Sequence, residues 1–221
     1  MNNLLSSQYN LLISLGERKT VKVLYRKSIQ LSLIQEQHRY LLAKLQLKNK
    51  IYLIVGTHLP SDIRGDTSST RKNIIRKIIN DVVDIEEKEQ IQSSLIIGDM
   101  NASPFDAEMI EKDAFNSVLF KKVIKQHEFV TFAEDTYRRF YNPIIEYINE
   151  TNENYGSYYY AAGNDCLYWY CFDQLLVRKN LIDKIKGFQY LKKISHQSLI
   201  GRSMPKKEIS DHLPLLVNIK I

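Results

Sequence analysis

Ser94-Leu95-Ile96-Ile97-Gly98-Asp99-Met100-Asn101 is a short aliphatic run that stops abruptly at Gly-Asp-x-Asn. Too short for a helix and closed by glycine, it predicts a buried central strand whose last residues emerge at a sheet edge. Side chains two apart in a strand point the same way, which would place Asp99 and Asn101 on one side of that edge. A carboxylate acceptor beside a neutral amide suits a site that holds a metal or a water and also donates to an oxyanion. A plain strand followed by an Asx turn, with both side chains bonded to their own backbone, would use the same residues.

Upstream of this strand, Ile74, Ile75, Ile78, Ile79, Val82, Val83 and Ile85 recur at helical spacing, with Ser68, Ser69 and Thr70 as N-cap choices. Before that helix, Arg39 to Leu47 and Ile51 to His58 are apolar-rich runs separated by Lys48-Asn49-Lys50, a pattern that predicts an antiparallel hairpin. The second run delivers His58 at its end. Strand, helix, strand in this order predicts a sheet covered by helices. Alternation in Val21, Val23 and Tyr25, and again in Ile29, Leu31 and Leu33, predicts strand, while Leu4 to Leu15 closed by Gly16 predicts a short helix.

Downstream, Ser103-Pro104-Phe105-Asp106 predicts a helix start with Ser103 as N-cap, whose positive end would favour an anion near the strand end. Val130-Thr131-Phe132 predicts an edge strand, and Tyr137 to Asn152 a loop entering a short helix. Tyr158-Tyr159-Tyr160 and Leu167-Tyr168-Trp169-Tyr170-Cys171-Phe172 read as hairpin and core rather than as a base-stacking platform. The second run enters Asp173-Gln174-Leu175-Leu176-Val177, so a carboxylate stands in an otherwise buried strand and needs a partner. Lys186 to Ile194 predicts a strand and Met204 to Ile209 a mobile basic loop. Ser210-Asp211-His212 then feeds a final strand.

With 221 residues, 44% hydrophobic and 25% charged, the chain has the size and composition of one soluble domain spanning 1–221. Its 31 Lys and Arg against 25 Asp and Glu give a net charge of +6, which permits a polyanionic partner without marking one, because the lysines are scattered. Cys166 and Cys171 stand five apart with no histidine nearby, so they read as buried thiols in a reducing compartment rather than as zinc ligands. The N-terminus lacks a signal-peptide pattern and no apolar run reaches membrane-spanning length, which predicts a cytoplasmic protein.

Four strand ends or starts thus carry His58, Asp99 with Asn101, Asp173, and Asp211 with His212. Carboxylates, histidines and an amide gathered at one sheet edge are what metal-assisted phosphoryl transfer requires. The order Thr57-His58, Gly98-Asp99-Met100-Asn101, Phe172-Asp173-Gln174 and Ser210-Asp211-His212 resembles the endonuclease/exonuclease/phosphatase superfamily of DNase I-like proteins, over roughly residues 39 to 221. Tyr141-Asn142-Pro143 through Phe172-Asp173-Gln174 looks most like uncharacterised bacterial members.

That resemblance implies a four-layer α/β sandwich, two mixed β-sheets flanked by helices, and a Mg²⁺- or Mn²⁺-dependent phosphoric ester hydrolase. It implies that Asp99 orients or deprotonates the attacking water, Asn101 and His58 contact phosphate oxygens, and His212, oriented by Asp173, acts on the scissile phosphate. Asp211, with Asp99, is the implied metal ligand. Members of the superfamily also carry an upstream strand ending in Asn and a metal-binding Glu, and neither has a counterpart in this chain, since Glu36 comes too late in the order. Residues 1–38 therefore read as a divergent or truncated part, with the N-terminal sheet incomplete and an N-terminal partner fragment or a homo-oligomer expected to cover it. The implied substrate is a phosphoester, of nucleic acid, lipid or inositol phosphate. The other expectations are a non-catalytic module of the same fold that binds phosphate or nucleic acid, and a structural remnant.

Overall fold

In the computed structural model, the described residues are 8–12, 20–61, 67–151, 153–162 and 167–221. In chain order the strands are β1 (Tyr9–Leu12), β2 (Val23–Arg26), β3 (Gln30–Glu36), β4 (Tyr40–Leu47), β5 (Lys50–His58) and β6 (Ser94–Asp99), with helix α1 (Ser68–Lys88) before β6. Then follow α2 (Ala107–Ile110), β7 (Ser117–Val118), α3 (Lys121–Gln126), β8 (Phe129–Phe132), β9 (Asp135–Arg138), β10 (Phe140–Tyr141) and α4 (Ile144–Tyr147). The chain closes with β11 (Tyr158–Tyr160), β12 (Tyr168–Tyr170), β13 (Asp173–Val177), β14 (Ile185–Tyr190), β15 (Lys193–Ile194), β16 (Gln197–Ser198) and β17 (Leu215–Ile219).

Seven strands form one mixed sheet in the order β3-β4-β5-β6-β13-β10-β7. The Gly-Asp-x-Asn strand lies at its centre, parallel to β5 and antiparallel to β13. Alternation along each strand divides two cores. Leu53 and Val55 of β5 and Ile96 of β6 face α1, where Ile75, Ile78, Val82 and Ile85 form the apolar stripe that the helical spacing predicts. Each of these fully buried aliphatics contributes roughly 1.5–3 kcal/mol of burial. Tyr52, Leu95, Leu175 and Val177 face the other way, against Ile185, Phe188 and Tyr190 of β14. The covering sheet on that side is the antiparallel pair β14–β17. Beyond it Ile29, Leu31, Leu47 and Ile54 stay only partly buried.

Gly98 is required by the close approach of β5: at φ +147° its Cβ would stand 1.9 Å from the Thr57 carbonyl oxygen. A second device was invisible in the sequence. Fully buried Arg178 donates Nε to Glu86 Oε1 (2.8 Å) and Nη2 to Glu86 Oε2 (3.0 Å), and Nη1 to the Arg138 carbonyl (2.8 Å). It thereby ties the end of α1 to β9 and β13.

Several local expectations need correction. Tyr9–Leu12 pairs with β2 as strand rather than helix; the rest of the Leu4–Leu15 stretch lies largely outside the described residues, as does Cys166. The cap of α1 is Thr67, one residue earlier than the candidates. Ser103 does not begin a helix: its N–H donates to Asp106 Oδ2 at 2.7 Å in a tight turn, and α2 starts only at Ala107. The side chain of Asp106 closes that turn locally, in competition with helix. Tyr137–Asn152 contains the end of β9 and all of β10 besides its helix, and Lys186–Ile194 is broken between β14 and β15. The aromatic stretches do form a hairpin, β11–β12, but Tyr160, Leu167 and Tyr168 are 45%, 60% and 51% exposed, so that hairpin stands out from the core. Cys171 is buried, and burial pushes its thiol up to about 12.

Candidate active site

The site is made by strand register. His58 lies opposite Asp99 across β5–β6, and Asp173 lies opposite Asp99 across β6–β13. Three chemistry-bearing residues from distant parts of the chain thus stand in a row at one sheet edge, about 5 Å apart per strand. His212 joins them from the segment before β17: Tyr158 and His212 form an isolated antiparallel bridge, and the Leu213 N–H donates to the Ser157 carbonyl at 2.7 Å. Gly156 permits the close approach of β12 to this segment, since a Cβ there would lie 2.6 Å from the Tyr170 carbonyl oxygen.

His212 Nδ1 is 2.7 Å from Asp173 Oδ2, which gives the strand carboxylate the partner it needed and leaves Nε2 as the ring atom presented outward. Burial alone would pull the imidazole down, but the hydrogen bond and charge of Asp173, with the fields of Asp99 and Asp211, raise it above its ordinary value. Burial, and then repulsion from Asp173, push the Asp99 carboxyl above the usual carboxylate range. The first shift keeps His212 protonated to higher pH, as a proton donor requires, and the second makes Asp99 a stronger proton acceptor. His58 is half exposed, with Nε2 3.6 Å from Asp99 Oδ2.

Asn101 sits just past the strand at φ 46° and folds back. Its N–H donates to Asp99 Oδ1 at 2.9 Å, and its Nδ2 donates to Asp99 Oδ2 at 2.8 Å and to the Leu59 carbonyl at 2.9 Å. The Asx turn and the functional cluster are therefore one arrangement: the amide clamps the carboxylate that β6 delivers. Asp211 is exposed beside His212, and its charge is one of those that raise the imidazole. Glu36 ends β3 at the same edge but three strands from β6, about 14 Å away.

Hard carboxylate oxygens are suitable donors for Mg²⁺. Among the described residues, however, no three His, Cys, Asp or Glu side chains gather so as to hold a metal ion. Mg²⁺ commonly binds through one or two carboxylates plus substrate phosphate and keeps several waters. Asp99 already bonds Asn101 through both carboxylate oxygens, so the described residues offer no closed cage.

Sequence reasoning missed the residues that support the row. Buried Ser157 accepts the Asp173 N–H on Oγ at 3.1 Å, and the Tyr190 hydroxyl donates to the Asp173 carbonyl at 2.7 Å. Gln174 accepts from Asn142 Nδ2 (2.7 Å) and donates to the Ala102 carbonyl (2.7 Å), which fixes the loop after Asn101 against β13. Tyr158 places its ring 4.9 Å from the His212 ring. The polar residues of Gly156-Ser157 and Asn142-Pro143, interrupting aromatic sequence, were the available signal.

No curated protein matches the chain by sequence. Among solved structures, the 3′ phosphatase NExo from Neisseria, bound to a product DNA hairpin, superposes with a TM-score of 0.52 at 11% identity, over 99% of this chain and 82% of that one. Truncated TDP2 of Caenorhabditis elegans gives 0.51 at 14% identity, over 88% and 71%. The human Nocturnin catalytic domain gives 0.47 at 13% identity; 89% of this chain is covered, but the chain spans only 62% of that domain. At these identities the two scores above 0.5 show the fold, a DNase I-like α/β architecture. No helix among the described residues is long and apolar enough to cross a membrane. The Endonuclease/Exonuclease/phosphatase family model matches residues 12–208 of the 221, and the chain therefore belongs to that family of phosphoester hydrolases.

Proposed function

We propose that this chain hydrolyses a phosphoester by water attack at the sheet edge formed by β5, β6 and β13. The observation that carries the reading is the row His58–Asp99–Asp173 with His212 Nδ1 held 2.7 Å from Asp173. Asp99, clamped by Asn101, orients the attacking water and accepts its proton. Protonated His212 donates from Nε2 to a phosphate oxygen as negative charge develops there, and Asp173 fixes its tautomer and stabilises its cation. His58, half exposed beside Asp99, donates to a second oxygen. Asp211 and Asp99 would hold Mg²⁺ or Mn²⁺, which would supply neutralisation of the phosphate charge. Net charge of +6 favours a polyanionic substrate such as nucleic acid. The partly buried Ile29, Leu31, Leu47 and Ile54 favour an N-terminal partner fragment or a second copy on the inner sheet face. A buried thiol at Cys171 suits a reducing, cytoplasmic setting.

The same residues support a second reading, binding without turnover, because the described residues hold no three-ligand metal cluster. Hydrolysis of bis-p-nitrophenyl phosphate in Mg²⁺ or Mn²⁺, with a chelator control and an Asp99→Asn protein alongside, separates the two. Metal-dependent turnover lost in Asp99→Asn supports hydrolysis. Phosphate binding by a folded protein that turns nothing over supports the binding module.

A further inference from the structure

His212 has its imidazole Nδ1 fixed 2.7 Å from Asp173 Oδ2. One hydrogen bond sets one atom of the ring but not its plane, because the sp³–sp² torsion of a histidine is broad and the ring can still tilt about that contact. The second constraint is a ring face. Tyr158 lies against His212 with centroids 4.9 Å apart and planes at 39°. Tyr158 is itself held, since it stacks on Phe172 at 5.5 Å and 23°, and Phe172 packs on Tyr170 at 5.0 Å. Backbone pairing anchors these rings. Tyr158 pairs with Tyr170 across β11–β12 and bridges to His212, and the Met100 N–H donates to the Phe172 carbonyl at 2.8 Å, tying that residue to the end of β6.

Resting on the phosphoester reading above, we propose that Tyr158 is a positioning residue, whose ring face fixes the plane of the His212 imidazole so that Nε2 stays aimed at the phosphate. Neither Tyr158 nor Phe172 belongs to either of the two hydrophobic cores, so core packing does not account for these rings. The tip of their hairpin is open to solvent, with Leu167 60% and Tyr168 51% exposed, while its base closes on the imidazole. The hairpin therefore serves the site more than the core. Tilted and offset ring contacts of this spacing are attractive and directional, whereas an aliphatic side chain in the same place fills volume without setting a plane. Holding a reacting atom in its near-attack position raises the rate without tightening binding, so the contribution of Tyr158 falls on kcat.

The test replaces Tyr158 by Phe, Leu and Met in the full chain, each variant shown folded by circular dichroism; Met keeps the length of the side chain should Leu loosen the hairpin. The first readout needs no turnover. In chelator, the His212 ring-proton resonances, assigned with His212→Gln and compared at the acid end of the titration, are expected upfield in the wild type and in Tyr158→Phe. They are expected to move downfield in Tyr158→Leu and Tyr158→Met, which have no ring face. In Mg²⁺, kcat for bis-p-nitrophenyl phosphate is expected to fall about tenfold or more in Tyr158→Leu and Tyr158→Met with KM unchanged, toward the roughly 100-fold that a 1 Å misplacement costs. Tyr158→Phe is expected to restore it. Resonances or a kcat unmoved by Leu and Met would overturn the proposal. A Tyr158→Phe protein as slow as Tyr158→Leu would also overturn it, by assigning the effect to the hydroxyl, and a rise in KM at constant kcat would do so by assigning it to substrate contact. A wild type without turnover would overturn the hydrolytic reading alone, and the resonances would still decide whether Tyr158 sets the ring.

Discussion

Replacing Asp173 by Asn keeps the volume of the side chain and the β6–β13 register but removes the charge facing His212. The bond at stake is 2.7 Å long, between side chains 23% and 20% exposed, so solvent screens it only in part. A hydrogen bond to a charged group contributes about 1.5–3 kcal/mol and a neutral one about 0.5–1.5, so the ionic part lost is about 1–2 kcal/mol. That is about 5- to 30-fold in the stability of the imidazolium. The His212 pKa is raised in the wild type, so its contribution to stability is fully present below the unfolded value of about 6.5 and is lost as pH rises through the folded value. In Asp173→Asn, burial is opposed only by Asp99 and Asp211, so the imidazole must titrate lower and this contribution must shrink. Asp99 must also titrate lower, because a neighbouring negative charge is gone. The assay is NMR titration of the His212 ring protons in both proteins, assigned with His212→Gln, together with urea unfolding at pH 5.5 and 8. A His212 titration in the wild type at the ordinary value, or one unmoved by Asp173→Asn, would refute the pairing as the source of the shift.

Breaking the buried pair by Arg178→Met should cost about 3 kcal/mol, the lower end for a buried pair because Arg138 stays 3.6 Å from Glu86, read as a lower urea midpoint; Arg178→Met combined with Glu86→Leu should recover much of it. Native Cys171 should resist iodoacetamide at pH 8, because burial pushes its thiol up to about 12, and should label on unfolding; peptide mapping that finds it alkylated in the folded protein contradicts the burial. Gly98→Ala should destabilise severely or prevent folding, since the added Cβ would meet Thr57 backbone at 1.9 Å, whereas Gly201→Ala, with its nearest neighbour at 3.7 Å, should be tolerated. If a second copy covers Ile29, Leu31 and Leu47, sedimentation should show a dimer that Leu31→Glu dissociates; a wild-type monomer excludes that partner.

The parts of this fold written in local pattern were legible. Ser94–Gly98 reads as a central strand because aliphatic residues end at a glycine, and the isoleucine spacing of α1 needs no tertiary context. The residues His58, Asp99, Asp173 and His212 were legible as polar punctuation at the ends of apolar runs. Their meeting depended on long-range register, which no local pattern encodes. Ser103-Pro104-Phe105-Asp106 misled because Asp106 closes a turn with its own side chain, which serves the tight exit from Asn101 better than a helix would. Arg178 could not be found: a single arginine after an apolar strand looks like a surface residue until α1 brings Glu86 to it. The exposure of the β11–β12 hairpin was equally hidden, since aromatic density is the same for a core strand and for a platform.

The most direct test compares hydrolysis of bis-p-nitrophenyl phosphate by the wild type and by His212→Gln, each shown folded by circular dichroism, in Mg²⁺ and in chelator. The account predicts Mg²⁺-supported turnover in the wild type that falls about 100-fold or more in His212→Gln, the scale of losing a positioned acid. Equal rates in the two proteins, or no turnover by a folded wild type, would contradict catalysis at this edge.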